Sequence, residues 1–78
     1  MKLTVDPGAD ALYLTLSEAA IVDSEQVAPG VVLDYDANEN IVGFELLHLS
    51  QRSDKVNLQQ LLFETLSDAG PQRAAGPA

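Results

Sequence analysis

Leu12, Leu14 and Leu16 alternate with Tyr13 and Thr15, the clearest two-residue period in the chain. The pattern predicts a strand over residues 11–16 with its leucines on one face. Leu3 and Val5 flank Thr4 and predict a shorter strand over 3–5. Asp6-Pro7-Gly8-Ala9-Asp10 separates the two as a turn, because Pro fixes φ and the Asp6 carboxylate can accept a bond from the backbone ahead. Residues 21–27 predict a weaker third strand, and its run of Asp23, Ser24, Glu25 and Gln26 marks a sheet edge. Ala28-Pro29-Gly30 is a turn with Pro at the second position and Gly at the third, where type II geometry needs a positive φ. Residues 31–35 follow as a strand, with Val31, Leu33 and Tyr35 on one face and Val32 and Asp34 on the other. A hairpin loop over 36–40 leads to a fifth strand over 41–49. Val42, Phe44 and Leu46 face one side of it; Ile41, Gly43, Glu45 and Leu47 face the other. Apolar residues on both faces predict a central strand or one covered on both sides. Gly43 suits a bulge or a close approach by the C-terminal helix.

The period then changes. Leu58, Leu61, Leu62 and Leu66 recur at helical spacing and predict a helix over 58–66. Asn57 is placed to cap it, with Gln60 three residues on, and Ala69-Gly70-Pro71 stops it. Val56 and Phe63 widen its apolar arc past the roughly 100° that an ordinary surface helix presents. The expected fold is α+β: an antiparallel β-meander of four to five strands followed by one C-terminal helix packed on the sheet. Residues 1–70 are expected to form this single domain, and 71–78, rich in small residues, a disordered tail.

Length sharpens the problem such a fold faces. A domain of 78 residues buries only ~60% of the surface its unfolded chain exposes. The chain has no cysteine, so neither a disulfide nor a thiolate zinc site can compensate, and its single His48 excludes a multi-histidine metal site within one chain. Regular packing and oligomerisation remain. No apolar run approaches the ~20 residues of a membrane-spanning helix. The first residues lack the apolar core of a secretory signal, and a cytoplasmic location is expected.

The formal net charge is −8, and its distribution matters more than its sum. Residues 3–51 contain no Lys or Arg and carry nine of the twelve acids. Such a surface repels phosphate, which argues against nucleic acid and anionic membranes as partners. It leaves a basic protein as an electrostatically suitable one.

Candidate chemistry is sparse. Asp34, Asp36, Asn38 and Asn40 place oxygens at alternate positions like the start of a calcium loop, but Glu39 stands near where the sharp bend needs Gly. Hairpin loops use Asp and Asn in any case. His48 and Ser50 would share a strand face, while Glu45 lies at an odd separation from His48 and so on the opposite one; no triad follows. There is no phosphate-binding glycine loop and no nucleophile elbow. No catalytic residue, cofactor or metal is therefore expected. Five residues are singled out as a candidate contact surface: Tyr13, Asp34 and Glu45 on an exposed sheet face, and Val56 and Phe63 on the helix.

Four blocks carry a resemblance. Asp6-Pro7, then Ala9-Asp10-Ala11-Leu12-Tyr13-Leu14, then Pro29-Gly30-Val31-Val32-Leu33-Asp34-Tyr35-Asp36, then Val42-Gly43-Phe44-Glu45-Leu46-Leu47 resemble the DUF2283 family of small prokaryotic proteins, over roughly residues 1–52. Family members typically carry a Gly near Glu39, which this chain lacks. The resemblance implies a shape and a bacterial cytoplasmic setting, and no catalytic residue. The functional expectation is a non-catalytic binding or assembly module that self-associates as a homodimer. The alternatives are an antitoxin-like acidic partner of a basic protein and, last, a small metal-dependent enzyme using the clustered acids and His48.

Overall fold

A computed structural model describes residues 1–67. It contains five strands: β1 (Lys2–Asp6), β2 (Ala11–Thr15), β3 (Asp23–Ala28), β4 (Val31–Tyr35) and β5 (Ile41–Leu46), followed by a single 3₁₀ turn at Leu49–Gln51. All pair antiparallel in one sheet of order β1-β2-β5-β4-β3.

The expected α+β meander is corrected in two respects. First, the described residues contain no α-helix: residues 58–66 form an isolated turn followed by chain without regular structure. The capping signal did act locally, for the Asn57 side chain accepts from the Gln59 N–H at 2.9 Å and its amide donates to Gln60 Oε1 at 3.4 Å. A nine-residue segment cannot offset the cost of helix nucleation unless an apolar face docks. Here Leu61, Leu62, Phe63 and Leu66 all remain exposed. Second, the strands are not in sequence order. β3, β4 and β5 are joined by hairpins, but the chain leaves β2 and crosses the end of the sheet to start β3 at the far edge. This is a Greek-key connection, fastened where the Leu16 and Ser17 N–H groups donate to Val42 O and that of Val22 to Tyr35 O. β3 is the edge its charges predicted, and β5 is the central strand. β5 ends at Leu46, short of the predicted 49, because His48 turns to a left-handed conformation with φ 56°. The tail expected over 71–78 lies outside the described residues.

The pairing fixes two faces. Leu3, Leu14, Phe44 and Leu33 line up across four strands, as do Val5, Leu12, Leu46 and Val31. The other face carries the rows Thr4, Tyr13, Glu45, Val32, Gln26 and Lys2, Thr15, Gly43, Asp34, Ser24. Gly43 sits beside a bulge in the β4–β5 ladder, and a Cβ there would stand 3.0 Å from Leu14 O. The bulge expected at this glycine is found beside it; the expected approach by a helix is not, and the close neighbour is the backbone of β2.

Among the described residues, only Ala11, Val42 and Leu49 are buried apolar residues, and no large side chain is fully enclosed. A sheet normally hides its apolar face under a second layer; residues 1–67 supply only part of one.

Candidate functional site

The family-like blocks converge at one end of the sheet. After β5 the chain folds back over that end, and Leu47 N–H donates to Gly30 O at 2.8 Å while Leu49 N–H donates to Asp10 O at 2.9 Å. Asp10, itself left-handed with φ 56°, accepts from the Ser50 N–H at 3.0 Å and the Ser50 hydroxyl at 2.8 Å. Arg52 donates to Leu47 O at 2.8 Å and Pro29 O at 2.7 Å. Gly30 has φ 72° and lies against Arg52 and His48, so the turn needs glycine for both conformation and space. Two turns separated by some twenty residues are thus tied to one strap. The Ser50 hydroxyl donates to Asp10 and not to His48, so the Asp, His and Ser at this end make a structural tie rather than a charge-relay set.

The hairpin loop behaves similarly. The Asp36 carboxylate accepts from the Asn38 and Asn40 N–H groups, each at 2.9 Å, and from the Asn40 side chain at 3.2 Å. Those bonds, the Asn40 backbone first, hold its pKa below the ordinary 3.8. Of the oxygens that resembled calcium ligands, the Asp36 carboxylate is engaged in closing the hairpin turn and the Asp34 carboxylate in accepting from Ser24. Glu39 ends that turn, its N–H donating to Asp36 O at 3.0 Å, at φ 64°, a left-handed conformation that favours glycine. Among the described residues no three His, Cys, Asp or Glu side chains cluster as metal ligands.

The five candidate contact residues divide between the two faces. Tyr13 and Glu45 are cross-strand partners on the polar face, and Asp34 lies one row away. Asp34 is not exposed as expected; it is 5% exposed, with Oδ1 accepting from the Ser24 hydroxyl at 2.6 Å and its carboxylate lying over Gly43. Ser24 and Gly43 lie beside it on the two neighbouring strands, a juxtaposition visible in the sequence only once the register is known. Burial raises the Glu45 pKa above its ordinary 4.5, and the Asp34 carboxylate beside it raises it further. Val56 and Phe63 lie on the opposite, apolar side. Val56 borders a recess with Val5, Leu12 and Leu49, and Phe63 borders another with Met1, Leu3, Leu14 and Leu61.

A family model described as a protein of unknown function, DUF2283, matches residues 2–50. The chain belongs to this family. The match ends within the strap that Asp10 holds, so the shared unit is the whole sheet with its fastened end, and the apolar segment from Val56 onward lies beyond it. No curated protein and no solved structure gives a significant match. Among the described residues no helix is long and apolar enough to cross a membrane.

Sequence reasoning missed a further feature of the β3 end of the apolar face. Asp23, Glu25, Asp36 and Glu39 surround Tyr35 in an open recess of about 500 Å³. The Tyr35 hydroxyl donates to Glu25 at 3.3 Å. Desolvation, and then the Glu25 charge, push its pKa above the ordinary 10.0. The acids come from two strands and a loop, and only the hairpin register brings them together.

Proposed function

We propose that this protein is a non-catalytic assembly module that works as a homo-oligomer, with the apolar sheet face as its interface. The observation that carries the reading is the half-exposed field of Leu3, Leu14, Leu33, Phe44 and Leu46 on a sheet with almost no enclosed core. Burying apolar surface is worth about 25 cal/mol per Å², and a chain this short has few other sources of stability. A second copy brings an identical, cation-free apolar face at the same concentration, and symmetric pairs of such faces close without leaving a remainder. A cytoplasmic setting is part of the same proposal. Light scattering at micromolar concentration tests it. A mass that is a multiple of 8.3 kDa is expected; a monodisperse 8.3 kDa species overturns it.

The acidic recess around Tyr35 favours a second reading, in which a basic protein segment docks at the β3 end. Salt separates the two. Contacts between chains of net charge −8 gain as salt screens their repulsion, whereas docking of a basic segment weakens.

A further inference from the structure

The sheet has two edges, and only one of them resists its own copy. β3 carries Asp23 and Glu25 and a bulge between Gln26 and Ala28, features that discourage edge pairing. β1 reads Lys2-Leu3-Thr4-Val5-Asp6. Paired antiparallel with a second β1 about Thr4, it sets Lys2 opposite the copy's Asp6, Leu3 opposite the copy's Val5, and Thr4 opposite the copy's Thr4.

The faces agree with this register. Lys2, Thr4 and Asp6 belong to the polar face, Leu3 and Val5 to the apolar one. Two-fold pairing therefore places two ion pairs on the polar side and keeps the apolar rows unbroken from one protomer to the next. Lys2 is also the only cation among residues 1–51. It sits at the one edge where it meets an acid of the same strand in a copy.

A separate observation points to the same edge. Leu61, Leu62 and Phe63, exposed by 62%, 85% and 76%, follow one another on the β1 side of the apolar face, where Leu61 and Phe63 share a recess with Met1, Leu3 and Leu14. An adjoining copy would extend the apolar surface beneath these side chains.

We propose that β1 is the joining edge, at which two copies of this chain form a continuous ten-stranded antiparallel sheet centred on Thr4. This rests on the self-association reading and names a contact at the sheet edge in addition to the one at the apolar face, which the joined sheet still presents as a single surface. The experiment compares wild type, Lys2→Asp, Asp6→Lys and the double swap by sedimentation equilibrium. Each single reversal places like charges opposite one another twice per dimer and is expected to raise the dissociation constant about fivefold or more; the double swap is expected to return it to within about twofold of wild type. Asp6 also accepts from the Ala9 N–H at 3.2 Å, so hydrogen exchange on the wild-type protein supplies a readout free of any folding defect. Amides of β1 are expected to gain protection as concentration rises, and those of β3 are not. A wild type that associates without β1 protection, or a double swap no better than its parents, overturns the edge and leaves the assembly reading standing. A monomeric wild type overturns both.

Discussion

Among the described residues, one face of this sheet lacks a partner and the other needs none. On the polar face, Asp34 is nearly sealed by its own neighbours, its carboxylate accepting from the Ser24 hydroxyl and lying beside Gly43. On the apolar face, rows of leucine, valine and phenylalanine end in the open, with residues 56–63 over the β1–β2 side only. The difference teaches where each kind of surface can be completed. A polar pair is satisfied by two or three atoms at hydrogen-bond distance, whereas an apolar row is satisfied only by area. The described residues 1–67 have enough atoms for the first and too little area for the second.

The sharpest test of that contrast substitutes adjacent residues of β2. Leu14→Asp places a charge in the surface proposed to be covered and is expected to cost about 3 kcal/mol and to abolish association, whereas Thr15→Asp, one residue on and on the other face, is expected to stay within about 0.5 kcal/mol. Urea unfolding measures both. Equal effects would show that the faces do not differ as drawn.

A smaller effect belongs to the polar face. Glu45 is held above its ordinary pKa of 4.5, so its contribution is present below that value and is lost as pH rises through the folded pKa. Asp36 is held below 3.8, so its contribution is present above that value and is lost as pH falls through the folded pKa. Wild-type stability is expected to fall on both sides of a mildly acid optimum. Glu45→Gln should flatten the high-pH arm and raise the melting temperature at pH 7, leaving the acid arm intact. Calorimetry across pH 3–8 reads this, and an unchanged profile would remove the cost assigned to burying the Glu45 charge beside Asp34.

The smallest effect lies off both faces. Glu39 occupies a left-handed position at φ 64°, so Glu39→Gly is expected to stabilise by about 0.5–1 kcal/mol, relief of the side-chain clash outweighing the entropy that glycine loses. It should leave association unchanged.

Most of the sheet was legible in the sequence because its signals are local. Alternation gave Leu12 and Leu14 their face, Pro29-Gly30 gave a turn, and the acids of β3 marked an edge. What was not legible depends on distance. The crossing from β2 to β3 cannot be seen until Leu12 pairs with Leu46. Asp34 looked like an exposed contact residue because burial there is created by Gly43 and Ser24, each on another strand. The helix over 58–66 was misread because its leucines have the right period but too little packed against them. His48 ended β5 early through a backbone angle that no side-chain pattern announces.

The absence of cysteine, and of lysine from residues 3–51, has a chemical corollary. Amine- and thiol-directed reagents are blind to nearly the entire sheet. Its two tyrosines, however, stand on opposite sides: Tyr13 in the row with Glu45, and Tyr35 on the side of Leu33. Nitration or iodination would thus give each surface its own reporter, with no label introduced and no residue changed.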